Sequence, residues 1–200
     1  MAGIATKRLI LGSASPRRLE LLSQIGIRPA ALRPADIDET PHQHENARDY
    51  VRRMARQKAE ALDVAPNEVV LTADTTVSVG RRILGKPENR AEAAGFMRLM
   101  SGRRHLVLTA LAVRDANGIR ERLVTTRVRM RPIDEASLER YLDIGDWEGK
   151  AGGYAIQGAA AAFIPWIEGS HSAVVGLPLS ETASLLASAG IFPAPEGANA

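Results

Sequence analysis

The sequence predicts a mixed α/β domain, a twisted sheet with flanking helices, and three observations carry that expectation. Strand-like apolar runs alternate with segments of helical periodicity, from RLIL near the start to ETASLLASAG near the end. Two long extended runs, 105–114 and 120–130, flank Asp115, Ala116, Asn117 and Gly118, a hairpin signal that argues against a purely parallel sheet. The 200 residues, 45% hydrophobic and 24% charged, suit one well-filled domain rather than three.

Taken in order, RLILGS reads as a buried strand that stops at Gly12. SPRRLELLSQIG then reads as a helix with Ser15 as its cap, Pro16 in its first turn and Gly26 at its end. Residues 28–45 are polar and proline-rich, hence a loop. Apolar positions recurring at three and four residues make 45–62 an amphipathic helix, with the Lys58 stem on its apolar side. A short strand at 68–72 should deliver Ala73, Asp74 and Thr75 at its end, before an alternating stretch that turns at Gly80. A helix over about 90–100 stops near Gly102, the hairpin follows, and 133–144 is helical again. Glycine-rich turns and short strands lead to the last helix. One domain over 1–192 with a fraying tail at 193–200 is the expected organisation.

Composition removes several chemistries. No cysteine is present, so disulfides, thiolate metal sites and cysteine nucleophiles are excluded. The start is too short in apolar residues for a signal peptide, and no run approaches the roughly 20 residues of a membrane span, so a soluble cytoplasmic protein is expected. The net charge of +3 hides an asymmetry: residues 81–131 hold 13 basic and 4 acidic side chains, against 2 and 9 over 132–200. Such a region attracts anions, and 22 of the 26 basic residues are arginine, whose fork suits phosphate. A nucleic acid would also be drawn to it, but no RNP, KH or zinc-finger signature accompanies the charge.

Four segments could carry chemistry. Ser13, Ser15, Arg17 and Arg18 stand where a strand passes into a helix, so free amides and guanidinium groups converge as a phosphate would require, although a plain helix start reads equally well. Asp74 follows an apolar run, a position from which a carboxylate can hold a divalent ion, with Asp38 and Glu39 as further oxygen ligands. Lys86, bracketed by Gly85 and Pro87, could counter charge on a transferring phosphoryl group. In AGGYAIQGAAAAFI, Gln157 offers donor and acceptor edges to a nucleobase. The four histidines match neither a zinc motif nor a hydrolase triad.

These segments, SASPRR at 13–18, DIDE at 36–39, ADTTV at 73–77, ILGKP at 83–87, SGRRHLVLTA at 101–110, GGYAIQG and GSHSAVVGLP, resemble the Maf family of nucleoside triphosphate pyrophosphatases nearly end to end. The resemblance implies a Maf/ITPase-like fold, two lobes around a nucleotide cleft, and cleavage between the α- and β-phosphates to give a nucleoside monophosphate and pyrophosphate. It also implies a divalent cation, Mg²⁺ or Mn²⁺, as cofactor and a homodimer. Position by position it makes Asp74, Lys86 and Glu39 catalytic, with Asp74 and Glu39 on the metal. Ser13, Arg17, Arg18, Lys58, Thr75 and Gln157 would bind substrate. The water's proton would go to Asp74, Glu39 or a hydroxide on the ion. The last is preferred because it needs no carboxylate of elevated pKa. DTTVSVGRRILGKP with GGYAIQG resembles the branch acting on dTTP and UTP. Modified pyrimidine or 7-methylguanosine triphosphates, or a nonenzymatic nucleotide- or nucleic-acid-binding regulator, are the alternatives. Gly80 stands where the family has an acidic residue and Ala173 where it has asparagine.

Overall fold

The computed structural model describes residues 7–193, so all but the first residue of the expected 193–200 tail lies outside the described residues. Its strands are β1 (Arg8–Leu11), β2 (Ala31–Leu32), β3 (Glu68–Val79), β4 (Arg82–Leu84), β5 (Arg104–Asp115), β6 (Gly118–Arg129) and β7 (Trp166–Glu168). The helices are α1 (Pro16–Gln24), α2 (Ala47–Glu60), α3 (Arg90–Met100), α4 (Glu135–Ile144), α5 (His171–Val175) and α6 (Leu179–Ser188). They flank one mixed sheet in the order β2-β1-β3-β5-β6-β7, with β4 paired to β3. β1 is parallel to β2 and β3, and the remaining pairs are antiparallel.

Local signals place most boundaries. Asn46, Asn89 and Asp134 cap α2, α3 and α4 through their side chains, each satisfying helix amides that would otherwise lack a partner. Ser15 holds the cap position of α1 but makes no side-chain cap bond. Instead the Ser15 amide donates to Ser13 Oγ at 3.2 Å, so the hydroxyl that organises this turn is two residues earlier. The β5–β6 hairpin closes on Ala116 and Asn117 with Asp115 opposite Gly118, as the sequence predicts.

β3 differs from the sequence reading. It runs for 12 residues without interruption, so Asp74 is in mid-strand and not at a strand end. The reason is tertiary: β5 pairs continuously with Val70 through Ser78 and holds Asp74, a residue of poor strand propensity, in the sheet between strand-favouring threonines.

Side chains alternate across this strand. One face packs under α2, where Val51, Ala55 and Ala59 meet Leu108, Ala110 and Ala112, and Thr72 donates its hydroxyl to the Ala55 carbonyl at 2.6 Å. The other face carries two apolar clusters. Leu9, Leu11, Val69, Leu71 and Leu111 pack with α1 and α6, while Val77, Leu84 and Val107 pack with Met97, Leu138 and Tyr141 of α3 and α4. Each such buried aliphatic side chain contributes about 1.5–3 kcal/mol. The two clusters are the cores of two lobes, and the working cleft opens beside the β3 residues that join them.

Candidate active site

The cleft arises because β3 is longer than its partners on one edge. β1 pairs with it over Glu68–Leu71 and β4 over Val77–Val79, leaving the edge between them uncovered. A crevice where neighbouring strands part is where open α/β sheets place their ligands. Gly12 lets β1 leave: a Cβ there would stand 2.5 Å from Thr72 Cγ2 and 2.9 Å from Leu62 Cδ1.

A cavity of about 460 Å³ fills the crevice, and Ser13, Arg17, Arg18, Glu39, Lys58, Asp74, Thr75, Lys86 and Gln157 all line it. The nine residues given roles by the family resemblance, and Ser15 with them, therefore meet in one place, whereas Asp38, read as a further oxygen ligand, lines a separate depression and accepts the Thr40 amide at 2.8 Å. On the α2 side of the sheet, Lys58 Nζ lies 2.7 Å from Asp74 Oδ1 and 2.8 Å from Glu39 Oε1. Helical spacing brings Lys58 here from the buried face of α2, while the Tyr50 hydroxyl, also on α2, donates to the Glu39 carbonyl at 2.9 Å and fixes the incoming loop. Arg53 secures the same loop by pairing with Glu45 at 2.6 Å. Lys58, read from sequence as a substrate contact, first serves as the shared counter-ion of two carboxylates.

Beside this triad, Arg18 donates from Nε to the Gly176 carbonyl and from Nη1 to Ser13 Oγ, both at 3.0 Å. Arg18 thus joins the start of α1 to the end of α5, and Arg17 lines the cleft beside it. Lys86 enters from the loop after β4, whose Gly85 carbonyl accepts the Gly152 amide at 2.9 Å.

These contacts set the proton affinities. Burial raises the Asp74 carboxyl above its ordinary value, opposed by Lys58 and Arg18. Burial acts upward on Glu39 also, but Lys58, Lys86 and Arg18 together bring it below the usual range. Burial lowers the Arg18 guanidinium, with Asp74 working against that loss. The sequence reading prefers a hydroxide as proton acceptor because it needs no carboxylate of elevated pKa; Asp74 is such a carboxylate and can itself serve as the acceptor.

On the opposite face the cleft changes character. Val77, Val107, Tyr154, Ala155, Val174 and Val175 form an apolar wall, with Gln157 as a polar group at its edge. Nothing in the sequence marks these valines, because a valine at a cleft wall carries no chemical signature. Tyr154 lines the cleft and also packs, since its hydroxyl reaches inward to His105 Nε2 at 2.8 Å. The fold accommodates both departures from the family pattern: Gly80 takes a φ of 58° in the tight β3–β4 turn, and Ala173 is fully buried, its carbonyl accepting from Thr109 Oγ1 at 2.7 Å.

The donor set suits a divalent cation of the Mg²⁺ kind. Two carboxylates from different segments already converge on one cationic group, and such ions take one or two carboxylates with substrate phosphates and water completing the shell. Among the described residues no group of three or more His, Asp or Glu forms a self-sufficient metal cage. No described helix is long and apolar enough to cross a membrane.

The model of the Maf-like protein family matches residues 8–189. The chain belongs to the Maf family. This Maf-like chain is 60% identical over 181 residues to the dTTP/UTP pyrophosphatase of Roseobacter denitrificans, covering 90% of this chain and 96% of that protein. It is 57% identical to the dTTP/UTP pyrophosphatases of Ruegeria sp. and Cereibacter sphaeroides, over 90% and 92% of this chain and 94% and 95% of theirs.

Proposed function

We propose that this protein hydrolyses dTTP and UTP between the α- and β-phosphates, releasing the nucleoside monophosphate and pyrophosphate. The observation that carries the reading is geometric: two carboxylates, Asp74 and Glu39, share the Lys58 ammonium in a cleft that Ser13, Arg17, Arg18 and Lys86 also line. The relatives named for this activity share half or more of their residues with this chain over nearly its whole length.

Asp74 orients a water toward the α-phosphorus and takes its proton on a carboxylate oxygen. The water oxygen forms the new bond to phosphorus as the bridging oxygen leaves with pyrophosphate on the opposite side. Lys86 and Arg17 meet the negative charge that gathers on the departing group, and Arg18 holds Ser13 in place for the same phosphates. Asp74 and Glu39 would hold a divalent cation, which when bound supplies Lewis-acid neutralisation of the phosphate oxygens. Lys58 keeps these two carboxylates together before substrate arrives. On the far side, the valine wall and Gln157 receive the pyrimidine.

The test is product analysis. With Mg²⁺ or Mn²⁺, purified protein should turn dTTP or UTP into monophosphate and pyrophosphate in equal amounts. Asp74→Asn should lower kcat by about 10²–10⁴-fold. Successive release of orthophosphate, or preferred turnover of 7-methyl-GTP, would contradict the proposal.

A further inference from the structure

The uncovered edge of β3 points to a role for the backbone itself. Within a strand, each residue's amide and carbonyl point to the same side, and the side alternates. The Gly12 amide donates to the Leu71 carbonyl at 2.8 Å, which turns the odd-numbered residues of β3 toward β1. Val79 meets Arg82 across the tight β3–β4 turn, so the odd residues also face β4. Even-numbered residues such as Asp74, opposite Ala110, turn toward β5.

Ala73 and Thr75 are therefore the two residues that face the gap. β1 has departed at Gly12, and the chain beyond Leu84 swings away at Gly85, whose carbonyl is taken by Gly152. No described backbone or side-chain group outside the sheet ladders bonds to either amide or carbonyl. An amide and a carbonyl left without protein partners at a cleft wall demand a ligand or water.

Chemistry selects what can lie against them. A phosphate offers only acceptors, and its charge would oppose the Thr75 carbonyl. The imide edge of uracil or thymine offers an N3–H donor beside a carbonyl acceptor, the complement of one open strand residue. Thr75 is also where the cleft passes from its charged to its apolar side: Asp74 points to the α2 face, whereas Thr75 bonds Thr109 Oγ1 at 3.1 Å on the other, beside Val77 and Val107.

We propose that the open backbone of Thr75 reads the pyrimidine, its carbonyl accepting N3–H and its amide donating to the adjacent base oxygen. This rests on the pyrophosphatase reading and deepens it, because it names how the base is chosen. With the ring held in the same place, cytosine sets an acceptor, N3, against the Thr75 carbonyl; its own donor–acceptor pair, N4–H and N3, would fit only after the ring moves by one position, which the cleft walls oppose. Guanine presents a matching pair, so its exclusion falls to the width between the valines and Tyr154.

The experiment combines ¹⁵N-detected amide exchange with substrate analogues. The Thr75 amide should exchange freely in the unliganded protein and slow at least tenfold with α,β-imido-dUTP and Mg²⁺, but not with imidodiphosphate and Mg²⁺. Turnover of N3-methyl-dTTP should fall at least tenfold in kcat/KM relative to dTTP, since a buried carbonyl loses its donor. Protection of Thr75 without nucleotide, equal protection by imidodiphosphate, or undiminished turnover of N3-methyl-dTTP would each overturn the proposal. Failure of the functional reading looks different: no pyrophosphate would form from dTTP or UTP. Selective protection of Thr75 by α,β-imido-dUTP would then still support backbone reading of the base.

Discussion

Replacing Lys58 with methionine tests the central electrostatic arrangement. The ammonium is 2.7 Å from Asp74, and both side chains are only 10% exposed, so removing it strands a buried carboxylate. Breaking a buried pair from one side costs about 3 kcal/mol. The contact to Glu39 is 2.8 Å long but its carboxylate is 42% exposed, and solvent limits that part to under about 1 kcal/mol. Equilibrium urea unfolding in EDTA should therefore show the midpoint of Lys58→Met lowered by roughly 1.5 M, taking a slope of about 2 kcal/mol/M. Adding Asp74→Asn should recover most of that loss, because no isolated charge is then buried, while pyrophosphate release stays abolished. A single variant as stable as the parent, or a double variant no better than the single, would refute the reasoning.

Three further expectations follow from other contacts. Burial lowers the His105 imidazole from 6.5 to about 4, so the unfolded chain gains its proton first as pH falls. Stability is fully retained above 6.5 and lost toward 4, about 2 kcal/mol between pH 7 and pH 5; urea midpoints should show that slope in the parent and a flatter one in His105→Gln. Arg18→Lys cannot bridge Ser13 and Gly176 with one fork, and steady-state assays should find KM for dTTP raised at least tenfold. Gly12→Ala places a methyl 2.5 Å from Thr72 Cγ2, and thermal unfolding should register a loss of about 1–3 kcal/mol.

How far the sequence foretells this molecule depends on the range of the interaction concerned. The hairpin at Ala116 and Asn117 depends on neighbours a few residues away and is read from them, whereas the one cap named from the sequence, Ser15, makes no side-chain cap bond, and Asn46, Asn89 and Asp134 make such bonds unannounced. Asp74 was expected at a strand end because polar residues interrupt the apolar run, and only pairing with β5, more than 30 residues on, carries the strand through. Lys58 has the same difficulty: periodicity puts its stem on the buried face of α2, but its partners are fixed by the register of β3 and by the loop that Tyr50 anchors. The valines of the apolar wall were invisible for a plainer reason, since apolar residues lining a cleft and filling a core look alike in a sequence. The open edge at Thr75 is a property of topology, set by where two other strands end.

Because β3 and β5 each run 12 residues through both lobes, they act as a common beam beneath the two halves of the molecule. Prising the lobes apart as rigid jaws would mean bending or unzipping the ladder that joins these two strands from Val70 through Ser78. The rim of the cleft, by contrast, is carried by spans that lie outside this ladder, with Glu39 on one side and Glu148, Lys150 and Gln157 on the other, so the beam fixes the floor while these shorter spans shape the mouth.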